Sequence, residues 1–322
     1  MYWRRRIALL IAVAGFGALA WALLEDGGGV RPEGRAAARP APLPTAGPAP
    51  LGSTATAPAP LAVRLDRGDA FGVDFRRPPS AALLFDLESG RVLWRRNASR
   101  VLPIASLTKL MTALLIADLV PRRARVRVTP ESLRYRGSGV GLLPRGRLIR
   151  VETMLHGLLL PSGNDAAIAL AQRAAGGSVR RFVALMNRRA AAMGLKCTRF
   201  SSPHGLSDGD HSCAGDLAAL ARAVLRTPRI ARIVRRRSAV LPFPTRGGRL
   251  YLYNTNPLLR ERYRGATGLK TGYTIAAGRC LVATARRGRT ALGVVLLRSR
   301  DPGGQARRLL DRGFRFARGS AG

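Results

Sequence analysis

The chain has 322 residues, 47% apolar and 23% charged, enough for one sizeable core of up to about 250 residues. Its 55 Lys and Arg against 18 Asp and Glu give a net charge of +37, which points either to a polyanionic partner or to a general compositional preference for arginine. The arginines are spread along the whole length, few aromatic residues are interleaved with them and no nucleic-acid-binding motif is present, so no nucleic-acid partner is expected; three cysteines are too few for a disulfide scaffold.

In chain order, residues 1–24 come first. Arg4, Arg5 and Arg6 precede an uncharged stretch of 18 residues, 7–24, a length at which a cleaved signal peptide and a membrane-spanning anchor look alike. Tyr2, Trp3 and Trp21 suit the two membrane interfaces, and the basic cluster predicts a cytoplasmic N-terminus with the body of the chain exported. Ala18-Leu19-Ala20 offers a cleavage site, but apolar residues continue to Leu24, which favours an uncleaved signal-anchor. The expectation is an extracytoplasmic protein tethered to the cell membrane, or a secreted one if the leader is removed. Residues 25–62, built from Gly, Ala, Pro and Thr without apolar periodicity, predict a disordered linker.

Residues 63–322 read as one mixed domain. Apolar runs at 81–86 and 91–94, joined through Glu88-Ser89-Gly90, predict a hairpin. Pro103 closes the next loop, and a helix starts near Ser106 with Leu107, Leu110, Met111, Leu114 and Leu115 on one apolar face. Residues 151–160 and 165–175 predict helices interrupted by Pro161-Ser162-Gly163, and 182–193 a further helix ending at Gly194. The last third turns to strands at 268–274, 280–285 and 291–297, with a turn at 286–289, before a closing helix over 304–316. Strands at both ends with helices between them predict an α/β (α+β) domain, its antiparallel sheet assembled from N- and C-terminal parts under a helical layer. Cys280 falls in a strand and reads as a core thiol. Cys197 and Cys213 flank a loop, and in an exported chain they are either bridged or free.

Three short strings stand in order along this domain: Ser106-Leu107-Thr108-Lys109, Ser162-Gly163-Asn164 and Lys270-Thr271-Gly272. Only three of the 55 basic residues are lysine, and two of them, Lys109 and Lys270, lie inside these strings; the third, Lys196, has no assignable role. Arginine stays protonated in proteins, whereas a desolvated lysine can give up its proton, so of these two only lysine can serve as a base. A separation of three residues at a helix start sets Ser106 beside Lys109. A serine hydroxyl becomes a nucleophile once such a neighbour removes its proton. Burial and the second cation, Lys270, would both favour the neutral Lys109 amine.

The surrounding text extends the pattern, through residues 105–113 and 158–167, Pro203-His204-Gly205-Leu206, and Gly268-Leu269-Lys270-Thr271-Gly272-Tyr273-Thr274. From about residue 81 to 313 the chain resembles the low-molecular-weight penicillin-binding proteins, the D-Ala-D-Ala carboxypeptidase family of serine peptidases. The resemblance implies a β-lactamase/transpeptidase-like fold, with an antiparallel five-stranded sheet flanked by helices and a helical subdomain. It implies an enzyme that removes the terminal D-alanine from peptidoglycan stem peptides through an acyl-enzyme on Ser106, without a cofactor, and that β-lactams inhibit covalently. Ser162 would pass a proton to the leaving amine; Asn164 would bond Lys109 and the substrate amide. Lys270 would add positive potential, Thr271 would help hold the terminal carboxylate, and Gly272 would let the substrate backbone approach. The backbone N–H groups of Ser106 and Tyr273 would form the oxyanion hole. A further arginine near the last strand is expected at the carboxylate, with Arg298, Arg300 and Arg307 as open candidates. Many relatives carry a second, β-rich domain and a C-terminal amphipathic anchor; here the expected membrane attachment is N-terminal.

A D,D-endopeptidase acting on peptide cross-links would use the same residues and stays as the alternative. A β-lactamase is disfavoured by Ser-Gly-Asn in the middle string and by the lack of a deacylating Glu motif. An inactive, tethered binding module is disfavoured by the intact serine and lysine. His204 and His211 lie in a Gly- and Asp-rich loop and are not read as bases, because the family uses none; His156, in an apolar helix, reads as structural. No His, Cys and Asp grouping has zinc spacing, so no metal is predicted.

Overall fold

Residues 61–66, 68–141, 143–244 and 247–319 are described by the structure, a computed structural model. The expected leader, and all but the last two residues of the expected linker, lie outside the described residues. Among the described residues no helix is long and apolar enough to cross a membrane.

The first hairpin pairs β1 (Ala81–Asp86) with β2 (Val92–Arg96). In its turn Asp86 Oδ1 accepts from the N–H groups of Glu88 (3.1 Å) and Ser89 (2.7 Å). A short strand, β3 (Leu102–Pro103), leads to a 3₁₀ turn over Ala105–Thr108, which runs directly into α1 (Lys109–Leu119). A ribbon of β4 (Arg125–Arg127) and β5 (Leu148–Arg150) brackets a single turn, α2 (Pro130–Leu133). The helices α3 (Val151–Leu159), α4 (Asn164–Ala174) and α5 (Val179–Ala192) follow. Then come β6 (His211–Ser212), which pairs with β3, and the helices α6 (Ala214–Arg226) and α7 (Pro228–Val234). A second ribbon, β7 (Ser238–Pro242) with β8 (Arg249–Tyr253), precedes the short α8 (Pro257–Arg260). The strands β9 (Ala266–Thr274), β10 (Gly278–Arg287) and β11 (Thr290–Ser299) and the helix α9 (Pro302–Gly319) complete the described chain.

The main sheet is antiparallel, in the order β2-β1-β11-β10-β9, so the two ends of the domain meet where β1 pairs with β11. Its central strands read as continuous apolar runs because both faces are covered, and alternate residues serve opposite sides. Leu83, Phe85, Val282, Val295 and Leu297 join the core under the helical layer, with Leu110, Met111 and Leu217. Leu84, Leu281, Ala283, Val294 and Leu296 pack instead with Leu309, Leu310 and Phe314 of α9. The predicted five-stranded sheet flanked by helices is therefore present, with β9 at its open edge.

One helix departs from its expected pattern. The sequence assigns α1 a single apolar face, yet residues 109–116 are all buried. The helix runs through the middle of the helical layer and is packed by α3, α4, α5, α6 and α7. Its polar side chains must then find partners inside: Thr112 Oγ1 donates to Pro203 O at 2.7 Å. The helices α6 and α7 and the ribbon β7–β8 have no counterpart in the sequence reading. On α6, the buried Arg222 donates to the carbonyls of Leu61 (2.6 Å), Ala62 (3.0 Å), Leu87 (3.0 Å) and Glu88 (2.9 Å), tying the first described residues to the β1–β2 turn. Cys197 and Cys213 are bridged, with Cα atoms 5.5 Å apart, and Cys280 is a buried free thiol.

Candidate active site

Ser106 lies in the 3₁₀ turn and Lys109 opens α1. Residues three apart eclipse in a 3₁₀ turn, and Lys109 Nζ accordingly stands 2.8 Å from Ser106 Oγ. Lys109 is 0% exposed, and its Nζ donates to Asn164 Oδ1 at 2.6 Å and to His204 O at 2.7 Å. Asn164 is the first residue of α4 and 1% exposed; its Nδ2 donates to Arg136 O at 2.6 Å, which fixes the amide with its oxygen toward Lys109. Ser162, in the bend between α3 and α4, has φ of 71°, and its buried Oγ has no hydrogen-bond partner. Ala105, just before Ser106, has φ of 48°. Two non-glycine residues in the left-handed region, each costing of order 1–3 kcal/mol, thus flank the reacting groups.

The third string lies on β9, whose free edge faces these groups. Lys270 is buried and donates Nζ to Thr271 O at 2.8 Å, while the hydroxyls of Thr271 and Thr255 are 2.7 Å apart. A Cβ on Gly272 would stand 2.9 Å from Ile104 O and 3.1 Å from Ser106 N, so any side chain there would close the space in front of the Ser106 amide. Ser106, Ser162, Thr271, Gly272 and Tyr273 line one cleft of about 540 Å³. The candidate arginines near the last strand are not among its lining residues. Arg298 donates to Ala276 O, Arg307 pairs with Glu261 at 2.8 Å, and neither these nor Arg300 lines the cleft; Arg260 and Arg279 do. A larger cavity, about 850 Å³, opens among Leu65, Asp69, Arg95 and Arg100 and contains none of these groups.

Electrostatics favour a neutral amine. Burial, and then the charge of Lys270, hold Lys109 well below the ordinary lysine range, against a smaller opposing pull from Asp210 and Asp165. Burial brings Lys270 down to about 7. His204 is held at about 4 by burial and by Lys109, so its ring is neutral. Its contribution is the backbone carbonyl, which also lies 3.5 Å from Ser106 Oγ. Sequence reasoning weighed the His204 ring and missed its carbonyl. The available signal was Gly205: φ is +88°, and a Cβ there would stand 1.9 Å from Ala105 O. Among the described residues, the His, Cys and carboxylate side chains grouped closely enough to hold a metal are Cys197, Cys213 and Asp216, and the two sulfurs are joined to each other.

Residues 78–300 match the D-alanyl-D-alanine carboxypeptidase family. The chain is 35% identical over 243 residues to the D-alanyl-D-alanine carboxypeptidase DacF of Bacillus subtilis, covering 73% of this chain and 61% of that protein, so it spans about six-tenths of that relative's length. It is 35% identical over 220 residues to the D-alanyl-D-alanine endopeptidase of Pseudomonas aeruginosa, covering 67% of this chain and 70% of that one. The crystal structure of D-alanyl-D-alanine carboxypeptidase from Mycobacterium tuberculosis H37Rv superposes with a TM-score of 0.71 at 34% identity, over 77% of this chain and 96% of the other. With the family match spanning most of its length, the chain belongs to the D-alanyl-D-alanine carboxypeptidase family of serine peptidases.

Proposed function

We propose that the chain is a serine D-Ala-D-Ala carboxypeptidase acting on peptidoglycan stem peptides, and that the lone pair of Lys109 carries its chemistry. A neutral amine has two N–H donors and one lone pair. Asn164 Oδ1 and His204 O take the two protons, so the lone pair faces Ser106 Oγ. Ser106 gives its proton to Lys109 as Oγ bonds to the carbonyl carbon between the two D-alanines. The oxyanion is held by the N–H groups of Ser106 and Tyr273. The C–N bond then breaks, and D-alanine leaves with a proton passed from Lys109 through Ser162 Oγ, whose want of a partner suits a relay. Water gives a proton to Lys109 as it attacks the ester, and Ser106 recovers its own on release.

The substrate backbone would pair with the free edge of β9 as an added strand. Its terminal carboxylate would meet Thr271, the charge of Lys270, and Arg260 and Arg279 at the cleft wall. β-Lactams would acylate the same Ser106 and leave slowly. The reading includes a membrane tether through residues 7–24, supported by the apolar run behind Arg4, Arg5 and Arg6. The test is product analysis with a free pentapeptide ending in D-Ala-D-Ala and with a cross-linked dimer. Release of D-alanine from the pentapeptide is expected. Cleavage of the dimer alone would make the chain an endopeptidase, the activity named for the Pseudomonas relative, and no product from either would reject both.

A further inference from the structure

Away from the cleft, a second concavity is lined almost wholly by one charge. Arg122, Arg123, Arg125, Arg150 and Glu152 surround a cavity of about 460 Å³. Glu152 is already shared, its Oε1 accepting from Arg122 Nε at 2.8 Å and from Arg229 Nε at 2.9 Å. Arg229, 8% exposed, donates Nη1 to Val120 O at 2.7 Å and leaves its buried Nη2 without a hydrogen-bond partner. Among the described residues, Arg123, Arg125 and Arg150 form no ion pair.

Two placements here are unfavourable as they stand. Arg125 and Arg150 are direct cross-strand partners in the β4–β5 ribbon, both exposed, while the neighbouring pair Val126 and Ile149 turns into the core. Like charges directly opposite one another on one face of a ribbon are destabilising. Arg150 is also the N-cap of α3, without a side-chain cap, at a helix end whose partial positive charge is countered by Glu152 in the first turn, a carboxylate already shared with Arg122 and Arg229. An anion between the guanidinium groups relieves both conflicts. It neutralises the facing pair and adds negative charge near the start of α3, and the planar forks match phosphate oxygens two at a time. Four cations against one shared carboxylate fit a doubly charged oxyanion better than a single carboxylate. The cavity also leaves room for whatever the oxyanion is esterified to.

We infer that this cavity is a binding site for a phosphoryl group, met as free phosphate or as the phosphate ester of a lipid headgroup. The inference is independent of the chemistry at Ser106 and is read without activity. Thermal unfolding of the full chain is followed as inorganic phosphate is titrated against sodium chloride of matched ionic strength. Phosphate is expected to raise the midpoint saturably and chloride not to. The double variant Arg125→Gln with Arg150→Gln is expected to lose the phosphate response. In phosphate-free buffer it should unfold at a higher temperature than wild type, because the facing charges are gone. Calorimetric titration should show phosphate affinity at least tenfold weaker in the variant. An undiminished phosphate response in the variant, an equal response to chloride, or a lower phosphate-free midpoint each overturns the site. Co-sedimentation with phosphatidylglycerol vesicles distinguishes the sources: stronger retention of wild type, competed by phosphate, assigns the headgroup, and equal retention assigns free phosphate.

Discussion

Replacing Asn164 by Asp tests whether Lys109 works as a neutral amine. Asn164 Oδ1 lies 2.6 Å from Lys109 Nζ and both side chains are buried, so an isosteric carboxylate would set a negative charge at hydrogen-bonding distance from the amine. An opposite charge at such range shifts a pKa by about 1–3 units toward the charged form. Each unit cuts the neutral fraction about tenfold at pH values below the pKa, so acylation should fall about ten- to a thousandfold on the acid limb and by less where the amine stays neutral. At high pH, where the amine is deprotonated regardless, the rate should recover. The assay is the rate of labelling by a fluorescent penicillin from about pH 5 to about pH 10, with the acid limb expected to move up by about one to three units. Some stability will be lost, because a carboxylate oxygen would face the carbonyl that now accepts from Nδ2, so thermal melts accompany the rates. Asn164→Ala, which removes the acceptor without adding charge, should slow the reaction without moving the limb upward. A loss for Asn164→Asp that is the same at every pH would refute the neutral-amine argument.

The remaining expectations concern stability. Lys270 is held near 7 when folded against 10.5 in the ordinary range, so the unfolded chain binds more protons between those values; this contribution should be flat below about 7 and rise with pH across that window. Denaturant melts of Lys270→Met should show a shallower rise, and an unchanged slope would contradict the burial argument. Gly205→Ala would force a Cβ to 1.9 Å from Ala105 O and should cost about 2–4 kcal/mol in urea unfolding while slowing acylation. Full activity in that variant would show that the His204 loop does not set the Ser106 turn. Removing the bridge by Cys197→Ala with Cys213→Ala opens a loop with a sequence separation of 16 and should cost about 3 kcal/mol; peptide mapping without reduction should recover the linked pair from wild type.

The legible parts of the fold were those whose pattern is local. The strands β1, β10 and β11 announce themselves as apolar runs because both sheet faces are covered, and the Ser106, Asn164 and Lys270 strings announce themselves through side-chain chemistry. What stayed hidden depends on distant residues. The α1 sequence looks amphipathic because its apolar positions repeat with helical spacing, but Lys109 and Thr112 are buried against carbonyls of the loop at 203–204, which no spacing reveals. His204 acts through a backbone oxygen, an atom every residue has, so only its glycine neighbour hinted at a close approach. Arginines at the cleft were sought beside the last strand, whereas Arg260 from α8 and Arg279 from β10 line it. The three-residue strands β4 and β5 are too short for alternation to stand out, whereas β8, Arg-Leu-Tyr-Leu-Tyr, does alternate and was a missed signal.

The most direct test of the central claim is the mass of the protein after brief exposure to a β-lactam, with peptide mapping of the modified residue. The account predicts one adduct per chain, carried by the peptide containing Ser106, and none on Ser106→Ala. An adduct on any other residue, or equal modification of Ser106→Ala, would contradict it.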